Sequence, residues 1–66
     1  MMKLGKPDPE GYYIIIAKKE AKDIINKYGD IIIESHGEEI IIKTKSRSTG
    51  KHILRRLSQL KLIVNP

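Results

Sequence analysis

Three runs of three consecutive isoleucines, at positions 14–16, 31–33 and 40–42, constrain the fold of this 66-residue chain more than any other feature. β-branched side chains favour extended backbone, and short apolar runs bounded by turn residues are typical of strands. The chain has thirteen Ile and no Phe, Trp or Cys, so its core depends on aliphatic packing without disulfides. A chain of this length predicts one small domain, which buries only about 60% of the surface of its unfolded chain.

The first part of the chain predicts a tail, a strand and a helix. Residues 1–11 carry two prolines and two glycines and are expected to form a flexible tail ahead of a single domain at 12–66. Residues 12–16 read as a strand. Residues 17–28 place apolar side chains at helical spacing within an arc of about 100°, which predicts a helix with one face towards the core.

The second and third isoleucine runs predict a β-hairpin over residues 30–45. A two-residue loop of His36 and Gly37 would put glycine where a positive φ is needed. In that register Ile33 pairs with Ile40, and Ile31 pairs with Ile42. It also places Glu34 opposite Glu39, which costs a little stability because like charges then face each other.

The last part of the chain predicts a second helix, for which Ser48 or Thr49 is the expected N-cap. Its apolar stripe starts at Ile53. Continuing the helix to the end of the chain would place Leu62 and Ile63 on its charged face. We therefore favour a helix that stops near Gln59, followed by a fourth strand over residues 60–64.

The resulting order, β-α-β-β-α-β, predicts an α+β fold of the split βαβ, or ferredoxin-like, type: a two-layer sandwich in which two helices cover one face of a four-stranded antiparallel sheet. The other face of the sheet would be open. The alternating side chains expected to form a partner interface there, as a band with Ile63, are Tyr13, Ile15, Ile32 and Ile41.

The charges divide at one point in the sequence. All eight acidic residues lie at or before Glu39, whereas residues 40–66 contain seven Lys and Arg and no acid. A field of one sign favours a polyanionic partner, because each neutralised phosphate releases condensed counterions.

The basic segment from residue 43 to residue 56 is the candidate phosphate-binding site, because it combines cations with hydroxyls and leads into a helix N-terminus. Within the second helix, Lys51, His52, Arg55, Arg56 and Gln59 lie on the face opposite the apolar stripe. The residues predicted to contact the nucleic-acid backbone are Lys43, Lys45, Arg47, Ser48, Thr49, Lys51, Arg55 and Arg56.

The order of elements resembles that of RNA-recognition-motif domains, which stack bases on aromatic side chains of their two central strands. Here Tyr12 and Tyr13 are the only aromatic residues of the first strand, and the third strand has none. The resemblance is one of topology alone. Any RNA contacts are therefore expected from the basic loop and the second helix, through the backbone more than through base stacking.

The sequence thus favours a non-catalytic nucleic-acid-binding protein, with RNA, including a ribosomal setting, ahead of DNA. The alternative is a small protein-interaction or homodimerisation module that uses the open isoleucine face. A ribonuclease-like activity of His52 with Arg55 is the weakest hypothesis, because no second general acid or base is in evidence.

Composition excludes several other classes. Without Cys, and with two His sixteen residues apart, the chain offers no zinc-binding pattern, so neither metal nor cofactor is expected. No apolar run reaches the roughly 18 residues of a membrane span, which predicts a cytoplasmic protein. Abundant Lys and scarce Asn and Gln are compatible with a thermophilic source and equally with an AT-rich genome.

Overall fold

The computed structural model describes residues 4–64, so residues 1–3 of the predicted tail and residues 65–66 of the predicted domain lie outside the described part. Three strands form one antiparallel sheet in the order β1-β3-β2. The elements are β1 (Tyr13–Lys18), a 3-10 turn (Lys19–Ala21), α1 (Lys22–Ile25), β2 (Ile31–His36), β3 (Glu39–Thr44) and α2 (Arg47–Gln59).

The predicted four-stranded ferredoxin-like sheet with β-α-β-β-α-β topology is wrong. The described chain is an α+β arrangement of three antiparallel strands and two helices. Residues 60–64 form no strand and contribute one isolated bridge, between Ile63 and Ala17. Two backbone hydrogen bonds flank this bridge, from the Lys18 N–H to the Leu62 carbonyl and from the Val64 N–H to the Ile16 carbonyl, each 2.8 Å long.

The way in which α2 ends explains why no fourth strand forms. The Leu62 N–H donates to the Leu57 carbonyl at 2.9 Å, and the Lys61 N–H donates to the Ser58 carbonyl at 3.1 Å. This pair of bonds is the Schellman motif, in which a residue with positive φ turns the chain away from the helix. Lys61 takes that position, with φ of 59°. Residues 60 and 61 are thus used in the helix cap and do not extend along β1.

Lys61 occupies a backbone conformation that glycine adopts without strain and that costs other residues roughly 1–2 kcal/mol. We expect Lys61→Gly to stabilise the protein by about 1 kcal/mol, because the strain at this position is then removed. Thermal unfolding followed by circular dichroism measures the change. Gln59→Gly, two residues earlier and inside the helix, is the control and should destabilise by a similar amount. A Lys61→Gly variant that melts at a lower temperature would contradict the proposed strain.

The first helix is much shorter than predicted, because its first two residues belong to β1, the next three form the 3-10 turn, and α1 ends at Ile25. Strand β1 thus extends to Lys18. This extension reverses the predicted faces of the strand. Ile15 (2% exposed) and Ala17 are buried in the core, whereas Ile14 is exposed. Had Ile14 and Ile16 faced inward, the alternation along the strand would have buried the charge of Lys18 as well.

Two residues of the predicted partner interface therefore need correction. Ile15 is buried beneath the helices, and Tyr13 shares its face of the sheet because both residues lie at odd positions of β1. Ile32 and Ile41 lie on the opposite face, where the β1 residues are Ile14 and Ile16.

The hairpin pairs two residues away from the predicted register. Ile33 lies opposite Ile42 and His36 lies opposite Glu39, so the loop consists of Gly37 and Glu38. Gly37 has φ of 64° at the first loop position, as in a type II′ turn. The observed register keeps the same isoleucines facing the core. It also avoids the unfavourable pair of Glu34 with Glu39 and pairs six residues of each strand.

The core lies between the sheet and the helical segments, and the buried residues of the strands all lie on the face of the sheet that the helices cover. Its buried apolar residues are Ile15, Ala17, Ala21, Ile25, Ile40, Ile42, Ile53, Leu54 and Leu57. Leu4, from the segment predicted as a tail, packs against this core. A Cβ on Gly50 would lie 2.9 Å from the Leu4 Cδ2, so the missing side chain of Gly50 makes room for Leu4.

Candidate nucleic-acid interface

Helix α2 carries most of the predicted phosphate contacts, and Ser46 fixes where it begins. The Ser46 Oγ accepts a hydrogen bond from the Thr49 N–H at 3.2 Å, which satisfies one of the free donors of the first turn. The predicted caps, Ser48 and Thr49, lie inside the helix. The apolar pattern could not locate this start, because the first buried position of the helix is Gly50, which has no side chain.

A second set of hydrogen bonds attaches the start of α2 to the sheet. The buried Thr44 Oγ1 donates to the Asp30 carbonyl at 3.0 Å and accepts from the Ser46 N–H at 3.1 Å. The Thr49 Oγ1 donates to the Asp30 Oδ2 at 2.9 Å. The first turn of α2 is therefore held in place by Asp30 and Thr44, which positions the cations that follow.

We expect Ser46→Ala to destabilise the protein by about 1 kcal/mol, because the Thr49 N–H loses its side-chain acceptor. Urea unfolding measures this change. Ser48→Ala is the matched control, because Ser48 is exposed and the only hydrogen-bond partner of its hydroxyl within residues 4–64 is the Ser46 Oγ, at 3.1 Å. Equal losses from the two substitutions would show that Ser46 does not act as the cap.

Three cations form one stripe along the outer surface of α2. Arg47, Lys51 and Arg55 recur every four residues and lie within about 80° of each other around the helix axis. All three side chains are exposed. The stripe points away from Ile53 and Leu57, two of the residues through which the helix contacts the core, and borders the third, Leu54, which lies about 20° from Arg47 around the helix axis. We refer to Arg47, Lys51 and Arg55 as the basic stripe.

The basic stripe has no ion-pair partner within residues 4–64. The ion pairs of that region lie elsewhere, between Lys19 and Glu38 at 3.1 Å, between Lys43 and Glu34 at 3.4 Å, and between His36 and Glu34 at 3.8 Å. The charges of the stripe are thus not neutralised by neighbouring carboxylates and remain available to an anion in solution.

The structure separates other predicted contacts from this stripe. Lys43 lies on the opposite face of the sheet, where it pairs with Glu34. Lys45 also lies apart, with its Nζ 5.0 Å from the centre of the Tyr12 ring. The hydroxyl of Thr49 is already bonded to Asp30. Ser48 is exposed beside the stripe, and Arg56 lies about 100° beyond Arg55 around the helix.

An aromatic pair at the border of the helix face was not predicted. The rings of Tyr28 and His52 lie 6.1 Å apart, centre to centre, and are tilted by 58°. The Lys27 Nζ is 5.8 Å from the Tyr28 ring centre. No sequence signal joins these residues, because Tyr28 precedes β2 and His52 lies in α2, so only the folded chain brings them together. Arg56 follows His52 by one helical turn, which places a cation next to the aromatic pair.

Comparisons with protein-family models, with curated proteins and with solved structures found no match to this chain. The described residues contain no group of three or more acidic or histidine side chains that could hold a metal ion. Within the same part of the chain, every helix is too short or too polar to cross a membrane.

Proposed function

We propose that this protein binds nucleic acid without catalysis, and that the outer face of α2 contacts the phosphate backbone. The observation that carries the proposal is the basic stripe: Arg47, Lys51 and Arg55 are exposed, aligned and unpaired within the described chain. A surface that serves only for solubility ordinarily mixes charges of both signs.

The dimensions of α2 suit a backbone contact. Its thirteen residues span about 20 Å, close to the smallest extent of the molecule, which is also 20 Å. Successive cations of the stripe are about 6 Å apart along the helix axis, a separation comparable with the step between neighbouring phosphates of one strand. In the proposed complex, each cation meets a different phosphate of the same strand.

RNA, either single-stranded or the folded RNA of a ribosomal particle, is the favoured ligand. Recognition of the DNA major groove by a helix-turn-helix motif needs two helices, and α1 has only four residues. The Tyr28 and His52 rings lie beside the cationic face, where unpaired bases could stack on them. Helix α2 therefore combines phosphate contacts with an aromatic border, as single-strand-binding surfaces do.

A salt titration tests the proposal against single-stranded RNA, structured RNA and duplex DNA measured side by side. If the stripe and Arg56 neutralise four phosphates, the affinity for a single strand should fall with salt at a log–log slope of about −3. The labelled RNA should also remain intact during incubation, because within residues 4–64 no carboxylate pairs with His52. An affinity that does not change with salt would reject backbone binding, and cleaved RNA would reject the non-catalytic part.

A further inference from the structure

The two edges of the sheet differ in how their backbone groups are satisfied. The segment after α2 covers part of the β1 edge, where the Lys18 N–H donates to the Leu62 carbonyl and the Val64 N–H donates to the Ile16 carbonyl. Strand β2 forms the other edge, and its backbone has no hydrogen-bond partner within residues 4–64 beyond its ladder with β3. An edge strand with unpaired N–H and C=O groups is a template for another strand.

The hairpin determines which groups of β2 are unpaired. His36 and Glu39 flank the two-residue loop, so they exchange both ladder hydrogen bonds, and such pairs recur at every second residue. The same alternation, continued across β3, directs Ile16 and Lys18 outward from β1, in agreement with their bonds to the segment after α2. In β2, the residues whose N–H and C=O groups point away from β3 are Ile31, Ile33 and Ser35. We refer to this side of β2 as the open edge.

Strand β2 carries few of the features by which edge strands avoid pairing. Those features include proline, lysine, a bulge that twists the edge away, and a covering segment. Strand β2 contains neither proline nor lysine, and it pairs with β3 along its whole length without a bulge. Its one carboxylate, that of Glu34, is engaged by the Lys43 Nζ at 3.4 Å. The open edge is therefore accessible to a further strand.

The core is also incomplete at the open edge. Helix α2 packs on β1 and β3, and Ile40 and Ile42 of β3 are buried beneath the helices. Ile31 and Ile33 of β2 lie on the same face of the sheet but are only half-buried. A strand added beside β2 would extend this apolar surface and bury more of both isoleucines.

We infer that a second copy of this chain adds its own β2 to the open edge, antiparallel, with the two-fold axis at Ile33. Ile33 then lies opposite Ile33, and Ile31 of each copy lies opposite Ser35 of the other, so every outward N–H and C=O group of both edges gains a partner. A second β2 suits the edge because it has the same length and alternation and is already ordered, whereas a free peptide loses conformational entropy when it becomes a strand. It also brings another Ile31 and Ile33 to the incomplete side of the core.

Charge and hydrogen bonding select the same register. A two-fold axis at Glu34 would set Glu34 opposite Glu34, and an axis at Ile32 would set Asp30 opposite Glu34. Like charges directly opposite each other destabilise a strand pair. Either shift would also leave outward backbone groups at the ends of the pair without partners. Only the axis at Ile33 avoids both costs.

Sedimentation equilibrium from about 50 µM to about 1 mM tests for the pair. One strand from each copy makes a small contact, so we expect the mean mass to rise with concentration from one chain towards two. Ser35→Pro removes an outward N–H, leaves the ladder with β3 intact and should raise the dissociation constant tenfold or more. Ser35→Ala keeps the N–H and is the matched control, which should associate like the parent. Circular dichroism confirms that each variant is folded.

Amide hydrogen exchange followed by NMR tests the open edge without any substitution. The amides of Ile31, Ile33 and Ser35 should exchange several-fold more slowly at about 1 mM than at about 50 µM, because the second copy then covers them. The Ile14 amide is the internal control. It points outward from β1, has no hydrogen-bond partner within the described residues, and should exchange at the same rate at both concentrations.

Single cysteines test the register, because the chain has no Cys of its own and a new thiol can form a disulfide only between copies. Ile33→Cys should give a covalent dimer on mild oxidation, since directly opposed residues lie about 5.5 Å apart. Ser35→Cys should not, because the two copies of residue 35 would lie about 14 Å apart along the strands. Equal cross-linking of the two variants overturns the register.

Other outcomes overturn the pair itself. A chain that stays monomeric to about 1 mM excludes a second copy and leaves the open edge to an extended segment of another protein. A folded Ser35→Pro variant that associates like the parent, or outward amides of β2 whose exchange ignores concentration, excludes pairing through this edge. None of these outcomes depends on nucleic-acid binding.

Discussion

Replacing Arg47 and Lys51 together by glutamate is expected to weaken binding of single-stranded RNA about 100-fold at about 0.1 M salt. Both side chains are exposed on the basic stripe and have no ion-pair partner within residues 4–64. For each phosphate contact, the logarithm of the binding constant changes by roughly half a unit when the salt concentration changes fourfold. The loss of two contacts should therefore weaken binding about tenfold, and the two added repulsions should weaken it about tenfold again. Fluorescence anisotropy with labelled RNA measures the loss.

The matched control for this charge reversal is Lys18→Glu with Lys22→Glu. Both pairs of substitutions lower the formal net charge of +5 by four units, so they differ only in where the charge changes. Lys18 and Lys22 are exposed, in β1 and α1 respectively, away from the stripe. The control should weaken binding only a few-fold. Equal losses from the two pairs would mean that net charge, rather than the face of α2, determines affinity.

Thr44→Val is expected to destabilise the protein by about 2 kcal/mol, which corresponds to a fall of about 10 °C in melting temperature. The Thr44 side chain is buried, and its hydroxyl bridges the Asp30 carbonyl and the Ser46 N–H. Valine has the same shape but leaves both backbone groups without this partner. The loss is large for a domain of this size, whose core rarely supplies more than about 3–5 kcal/mol.

Two further substitutions isolate the role of the Thr44 hydroxyl. Thr44→Ser keeps the hydroxyl and removes a methyl group, so it should retain most of the stability that Thr44→Val loses. Thr49→Val removes a hydroxyl whose bond to the Asp30 carboxylate is exposed, and it should cost less than Thr44→Val. A serine variant as unstable as the valine variant would show that packing, and not the hydrogen bonds, is what matters at this position.

The strands of the hairpin and the end of α2 at Gln59 were predictable because the sequence encodes them locally. The runs of consecutive isoleucines mark β2 and β3, and the charged face of α2 forbids a longer helix. The faces of β1 were predicted wrongly because the predicted strand ends at Ile16, two residues before the end of β1. Extending it to Lys18 requires that the lysine point to solvent, and that condition alone assigns Ile15 to the core.

The hairpin register and the missing fourth strand depended on contacts that the local pattern does not contain. Identical Ile triplets bury the same side chains in registers that differ by two residues, so periodicity could not choose between them. The cap at Lys61 needs a positive φ that lysine seldom adopts, and nothing in the sequence marked it. At the candidate site, helical spacing predicted the shared face of Lys51 and Arg55 but not that of Arg47, because the helix was expected to begin after Ser48 or Thr49 and begins at Arg47. Spacing could not show that Lys43 lies apart from the basic stripe, because the position of Lys43 depends on the sheet.

The helices cover one side of a single three-stranded sheet, and the basic stripe lies on that helical side. A copy holding an RNA strand along α2 would therefore keep the other side of its sheet accessible, so RNA binding would not by itself hide the uncovered strands.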